Sequence, residues 1–206
     1  YVKEAIDVFH ELERDYGAWP HDFMIIYGAG RGGMEYSGAT RTSLRALGHE
    51  MHHAYFARGM TPARGNAGWI DEALASWRDG NYRQTTNRWF LRRTKMAGHN
   101  QYRRRTDQDA YTKGKTLIGH LDYKFDDQGG LLPFLKEFAQ KNMHKGNTTK
   151  IFKTAMESYF RTDLTEFFDE YIYGKSTRHF PMNESKSRQE NPYHPKLSEK
   201  ELLELL

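Results

Sequence analysis

The chain has 206 residues, a formal net charge of +4, 37% hydrophobic and 14% aromatic residues, and no cysteine. That composition supports a packed core and argues against disorder of the whole chain, while the missing cysteines exclude disulfides and thiolate metal sites. No run approaches the roughly 18 apolar residues of a membrane helix, so no membrane contact is expected in this segment.

In chain order, Val2 to about Tyr16 spaces Ala5, Ile6, Phe9 and Leu12 at helical intervals and stops at Gly17 and Pro20. The chain starts at Tyr1 inside this helix, as expected of a processed protein or an excised domain. DFMIIYG has strand character, and the glycine-rich GAGRGGMEYSGAT reads as a turn into an extended segment. Helices are expected from about Ser43 to Arg58 and from about Trp69 to Tyr82, then at Tyr111–Tyr123, LLPFLKEFAQKN, TTKIFKTAMESYF and DLTEFFDEYIYG. Asp163 and Glu166 sit in capping positions of the last, and Gly174 stops it. Residues 175–196 read as a linker, and SEKELLELL as a short terminal helix.

The first chemical signal is HEMHH at 49–53, which contains His-Glu-x-x-His. On a helix, His49 and His53 project about 40° apart, one turn above the other, so both imidazoles can grip one ion. Glu50 falls to the side, beside the ion rather than on it, where it can take a proton from an activated water. Leu44, Leu47, Met51 and Tyr55 supply the core face of the same helix.

A hydrolytic zinc site uses three protein ligands and one open position. Glu72, in GWIDEALASW, is the third candidate. It shares a helix face with Trp69 and Ser76, while Ile70, Leu74 and Trp77 form the apolar stripe. Asp71 is the rival ligand but projects about 100° away. His-Glu-x-x-His arises by chance in roughly three of a hundred such chains; requiring the glutamate as well lowers this to roughly two or three per thousand. His52, beside the site, is expected to support it or to lie at the surface.

These motifs resemble the gluzincin aminopeptidases, the family of aminopeptidase N and leukotriene hydrolase. GWIDEALASW is similar to that family's Trp-x-Asn-Glu-Gly-Phe-Ala, Gly32-Gly33-Met34-Glu35-Tyr36 to its Gly-x-Met-Glu-Asn, and Tyr111-Thr-Lys113-Gly114 to its Tyr-Glu-Lys-Gly. FFDEYIYGK resembles the aromatic end of the family's catalytic domain. Tyr36, Ser37 and Ala73 depart from the pattern, standing where the family has Asn, often Pro, and Gly.

The resemblance covers about residues 1–180, leaving 181–206 as linker and short helix. It implies a thermolysin-like catalytic domain, mainly helical (α+β) with a small antiparallel edge sheet. It also implies one zinc per chain, peptide substrates, and removal of amino-terminal residues. Tyr111 would share the developing oxyanion, and Glu35, with Gly32, Gly33 and Met34 around it, would hold the substrate's α-ammonium. The family's other domains wall its cleft and are not in this sequence, so restriction to chain ends is a separate expectation from hydrolysis.

One feature falls outside that scheme. Arg83 to Arg105 holds eight basic residues and no acidic one, leaving 23 Lys+Arg against 27 Asp+Glu elsewhere. With Tyr82, Trp89, Phe90 and Tyr102 interleaved it can be read as a nucleic-acid surface, as a cleft lining for peptide carboxylates, or as a solvated face. The solvated face is expected, and nucleic acid is not an expected partner. The rival to catalysis is a degenerate peptidase fold that binds peptide or nucleic acid; an intact Glu50 and Tyr111 argue against it, since a binder needs no general base.

Overall fold

In the computed structural model, residues 1–63, 67–97 and 106–175 are described. Helix α1 (Val2–Tyr16) buries Leu12 and Tyr16 and ends at Gly17, whose φ of 96° breaks the helix. Three short strands come next: β1 (Ile25–Gly28), β2 (Gly33–Tyr36) and β3 (Ala39–Thr42). The sheet is not the purely antiparallel one expected. Its order is β1-β3-β2, with β3 antiparallel to β2 but parallel to β1. The tight turn at Ser37–Gly38 folds β3 back on β2, and β3 then takes the place beside β1, which leaves β2 as an edge. Two-residue alternation turns Gly33 and Glu35 to one face and Met34 and Tyr36 to the other, where they are about half exposed.

The helix expected over 43–58 is one rod of three pitches. A 3₁₀ turn, Leu44–Ala46, leads into α2 (Leu47–His53), and a π-helical turn, Ala54–Gly59, closes it with Met60 N donating to Tyr55 O. The wider turn carries an extra residue and rotates the side chains beyond it about the helix axis. A two-residue strand, β4 (Thr61–Pro62), comes next.

Helix α3 (Gly68–Asp79) stops three residues short of Tyr82. Asn81 and Tyr82 adopt left-handed φ values of 55° and 54°, so no helix can pass through them. Tyr82 is held there by a 2.7 Å hydrogen bond to Asp15 and edge-on packing against Trp77. Rather than a single apolar stripe, α3 buries Trp69, Ile70, Asp71, Ala73, Leu74, Ala75 and Trp77, because α2 and α4 both pack on it. An all-round buried helix is a core helix. Trp69 Nε1 donates to Thr149 and Trp77 Nε1 to the Arg83 carbonyl, so both indoles are buried with their polar edge satisfied.

The second half is helical: α4 (Lys115–Lys124), α5 (Leu131–Asn142), α6 (Thr149–Phe160) and the short α7 (Thr165–Phe167), with β5 (Gly146–Asn147) pairing with β4. Thr148 caps α6 and Asp163 accepts from Thr165 N at the start of α7, as its capping position predicts. Phe125, Phe134, Phe138, Phe152 and Phe160 form the aromatic core of this half. Among the described residues no helix is long and apolar enough to cross a membrane. The expected linker and terminal helix at 181–206 lie outside the described residues.

Candidate metal centre

Helix α2 presents His49 and His53 on one side, with their rings edge-on at 4.8 Å. Helix α3 lies against that side and brings in Glu72. Its Oε2 sits 3.2 Å from His49 Nε2 and 3.7 Å from His53 Nε2. Ligand atoms bonded at about 2.0–2.1 Å to one tetrahedral ion lie about 3.3 Å apart, so Glu72 Oε2 stands near ligand spacing from each imidazole.

The opposite ring nitrogens are also occupied. His49 Nδ1 meets Asp79 Oδ2 at 2.7 Å, and His53 Nδ1 meets Asp71 Oδ2 at 2.6 Å, the latter a short contact rather than an aligned hydrogen bond. A carboxylate behind each imidazole orients the ring and turns Nε2 towards Glu72, the arrangement typical of metal-binding histidines. Asp71, read from sequence as a rival ligand pointing away, instead lies against His53 Nδ1, and with His52 and His53 it forms a second buried group whose ligand atoms fall within 4.8 Å of one another. Asp79 is missed by sequence reasoning, although it lies seven residues after Glu72, two turns along the same face.

The charges agree with the geometry. Burial disfavours charged rings, yet Asp79 and Glu72 outweigh it and hold His49 up to about 10, while Asp71 and Glu72 hold His53 up to about 9. Glu72 is kept ionised below its ordinary range: burial opposes this, but the His49 hydrogen bond and the His53 charge prevail. Three carboxylates converging on two imidazoles draw positive charge to the site, whether ring protons or a divalent cation in their place. The donor set therefore fits a metal ion.

Glu50 lies beside this set; one carboxylate oxygen of it and one nitrogen of each of His49 and His53 all fall within 4.8 Å of one another. Burial raises its pKa, which suits a base that must later give its proton back. The carboxylate rests on β2, where a Cβ at Gly33 would collide with Glu50 Oε1. That space beside Gly33 is filled by the carboxylate, whereas Gly32 has nothing within 4 Å of where a Cβ would stand.

Tyr111 comes from a π-helical turn, Ala110–Gly114, that runs directly into α4. The turn is pressed onto α3 so closely that a Cβ at Gly114 would fall 2.7 Å from Ala73 Cβ. This approach sets the Tyr111 hydroxyl 2.5 Å from Glu72 Oε1, to which it donates. Burial, then the Glu72 carboxylate, raises the phenol's pKa, so it stays a proton donor.

Glu35 faces the same side of the sheet as Gly33, but it is already engaged: Arg58 Nη2 donates to its carboxylate at 3.0 Å and to its backbone carbonyl at 3.2 Å. The Met34 side chain projects to the other face of the sheet. His52 is fully buried, stacked on Phe56 and edge-on to Tyr16, so it serves the core beneath the site rather than the surface. In the basic stretch, Arg88 and Arg93 pair with Glu170 while Trp89 and Phe90 are exposed; residues 98–105, Tyr102 among them, lie outside the described residues.

No protein-family model and no curated protein sequence matches the chain. Solved structures do. A mutant M1 zinc metallopeptidase from Deinococcus radiodurans superposes with a TM-score of 0.66 at 15% identity, over 87% of this chain and 46% of that one. The same enzyme bound to a Tyr-Ser-Ala substrate gives 0.65 at 15%, over 85% and 45%. Yeast LTA4 hydrolase in complex with bestatin gives 0.58 at 15%, over 84% and 34%. The chain thus has the fold of a segment of the M1 zinc metallopeptidases, and spans less than half the length of these neighbours.

Proposed function

We propose that this chain is a thermolysin-like catalytic domain of gluzincin type, a zinc-dependent peptidase that removes residues from the free amino termini of peptides. The observation that carries the reading is Glu72 Oε2 facing both His49 Nε2 and His53 Nε2 at ligand spacing, with a carboxylate behind each ring. Zinc on His49, His53 and Glu72 would supply Lewis-acid polarisation of the scissile carbonyl and acidify a water. Glu50, beside these ligands, would take up the proton of an attacking water and return it to the leaving amine; desolvation makes its carboxylate the stronger base for this. The Tyr111 hydroxyl, protonated and next to the ligand Glu72, turns its donor to the oxyanion. As a sheet edge, β2 offers backbone groups to an extended peptide, and Glu35 on that strand receives the substrate's ammonium.

Two measurements on purified protein test this. Elemental analysis should find one zinc per chain, and the protein should cleave an unblocked aminoacyl fluorogenic substrate. Glu50→Gln keeps the size and polarity of the side chain but takes no proton, so it should hold zinc and lose turnover by about 10² or more. Near-normal kcat in Glu50→Gln would remove Glu50 from the mechanism; a wild-type protein that holds zinc but cleaves nothing would favour the binding module.

A further inference from the structure

We infer that Arg58 makes the site selective for peptides whose amino-terminal residue is acidic, glutamate or aspartate. This rests on the peptidase reading and names its substrate class. Arg58 is the one exposed residue between Met51 and Met60, and the π-helical turn is what aims it across at β2. Its Nη2 donates both to the Glu35 carboxylate, at 3.0 Å, and to the Glu35 carbonyl, at 3.2 Å.

Charge balance sets the selectivity. An incoming α-ammonium that takes the Glu35 carboxylate displaces its present partner. The Arg58 side chain is 38% and that of Glu35 22% exposed, and an ion pair so open to solvent is weak and readily exchanged. The carbonyl bond, however, keeps the guanidinium on the strand after the carboxylate has changed partner. A neutral amino-terminal residue then leaves a cation without a counter-charge in the cleft, and a lysine adds a second. Glutamate or aspartate supplies the missing anion, exchanging one internal pair for two pairs with the substrate. Glu35 and Arg58 touch each other, so the groups engaging them must lie close together. The amine and the side-chain carboxylate of one residue are a few bonds apart; the distant carboxyl end of a peptide is not. A planar guanidinium also suits a carboxylate, which it can grip with two donors.

Binding, rather than turnover alone, tests this. Calorimetry on zinc-loaded protein would compare glutamyl, aspartyl, leucyl and lysyl hydroxamates, in wild type, Arg58→Ala and Arg58→Lys. Wild type should bind the acidic pair at least tenfold tighter than the leucyl compound, with the lysyl compound weakest. Arg58→Ala should level the acidic and leucyl affinities, and Arg58→Lys should keep part of the preference. Leucyl binding as tight as glutamyl in wild type, an undiminished preference in Arg58→Ala, or no binding by any hydroxamate would overturn the assignment. Turnover of the matching aminoacyl substrates reports separately on the peptidase reading. If it is absent while the acidic preference and its loss in Arg58→Ala are both observed, the catalytic reading fails and the recognition by Arg58 stands.

Discussion

Two regions meet at this site, and they are built differently. The cradle between α2 and α3 is buried: His53 is 2% and Asp71 3% exposed, and each imidazole is gripped from behind by a carboxylate. The rim along β2 is open: Glu35 and Arg58 face solvent and are joined by a pair that water and substrate can compete for. In the cradle, low dielectric makes every charge costly unless it is matched, so the groups are locked in number and place. On the rim, solvent screens the same charges, so partners can be exchanged. The cradle is suited to holding an ion, and in the proposed reading the rim chooses what is brought to it.

The largest effect should come from breaking the cradle itself. Glu72→Ala removes a carboxylate that faces both imidazoles and also receives the Tyr111 hydroxyl. Zinc retention should fall away and peptide hydrolysis with it, as should be true of His49→Ala and His53→Ala. Full zinc occupancy by elemental analysis in all three variants would dissolve the contrast, because the buried cluster would then have another purpose.

A smaller effect should grade the cradle from its inside to its edge. Removing a carboxylate that supports a metal-binding histidine typically weakens metal affinity by about 10–100-fold. Asp71 is buried, while the Asp79 side chain is 43% exposed, so water can replace Asp79 but not Asp71. Asp71→Asn should therefore lie near the upper end of that range and Asp79→Asn near the lower, measured by competition with a chelator. Equal losses would mean that burial does not set the strength of these supports.

The same contrast explains what could be read from the sequence. The cradle's main features were legible because helix geometry alone relates residues four or seven apart: His49 to His53 within α2, and Glu72 to Asp79 within α3. Glu72 is expected beside them from its place on α3, and the structure brings its carboxylate against both imidazoles. What Asp71 does was not legible, since its contact with His53 depends on how the two helices cross. The rim was less legible still. That β2 is an edge follows from β3 settling beside β1, and that Arg58 reaches Glu35 follows from a π-helical turn, where the amphipathic pattern over 43–58 suggests one regular helix. The Tyr82 boundary failed for a related reason: a tertiary bond to Asp15 holds a left-handed backbone where local propensity is silent.

The smallest effect belongs to the rim, and it decides whether the site reads chain ends at all. An ammonium placed against Glu35, on the strand that carries Gly33 and hence beside Glu50, fixes which peptide bond reaches the ion. Glu35→Gln preserves the shape of the strand and leaves the Arg58 bond to the backbone carbonyl in place, so its effect is confined to charge. It should lower kcat/KM for an unblocked short peptide by about tenfold, which is about 1.4 kcal/mol, and barely change that for the N-acetylated version. The modest size is itself a consequence of the setting: the substrate's amine gains only the difference between its own pair with Glu35 and the pair Arg58 gives up. Equal losses on both peptides, or a wild-type preference for the acetylated one, would show that the rim does not recognise the amine. The cradle would then serve an endopeptidase, with β2 binding peptide through its backbone alone.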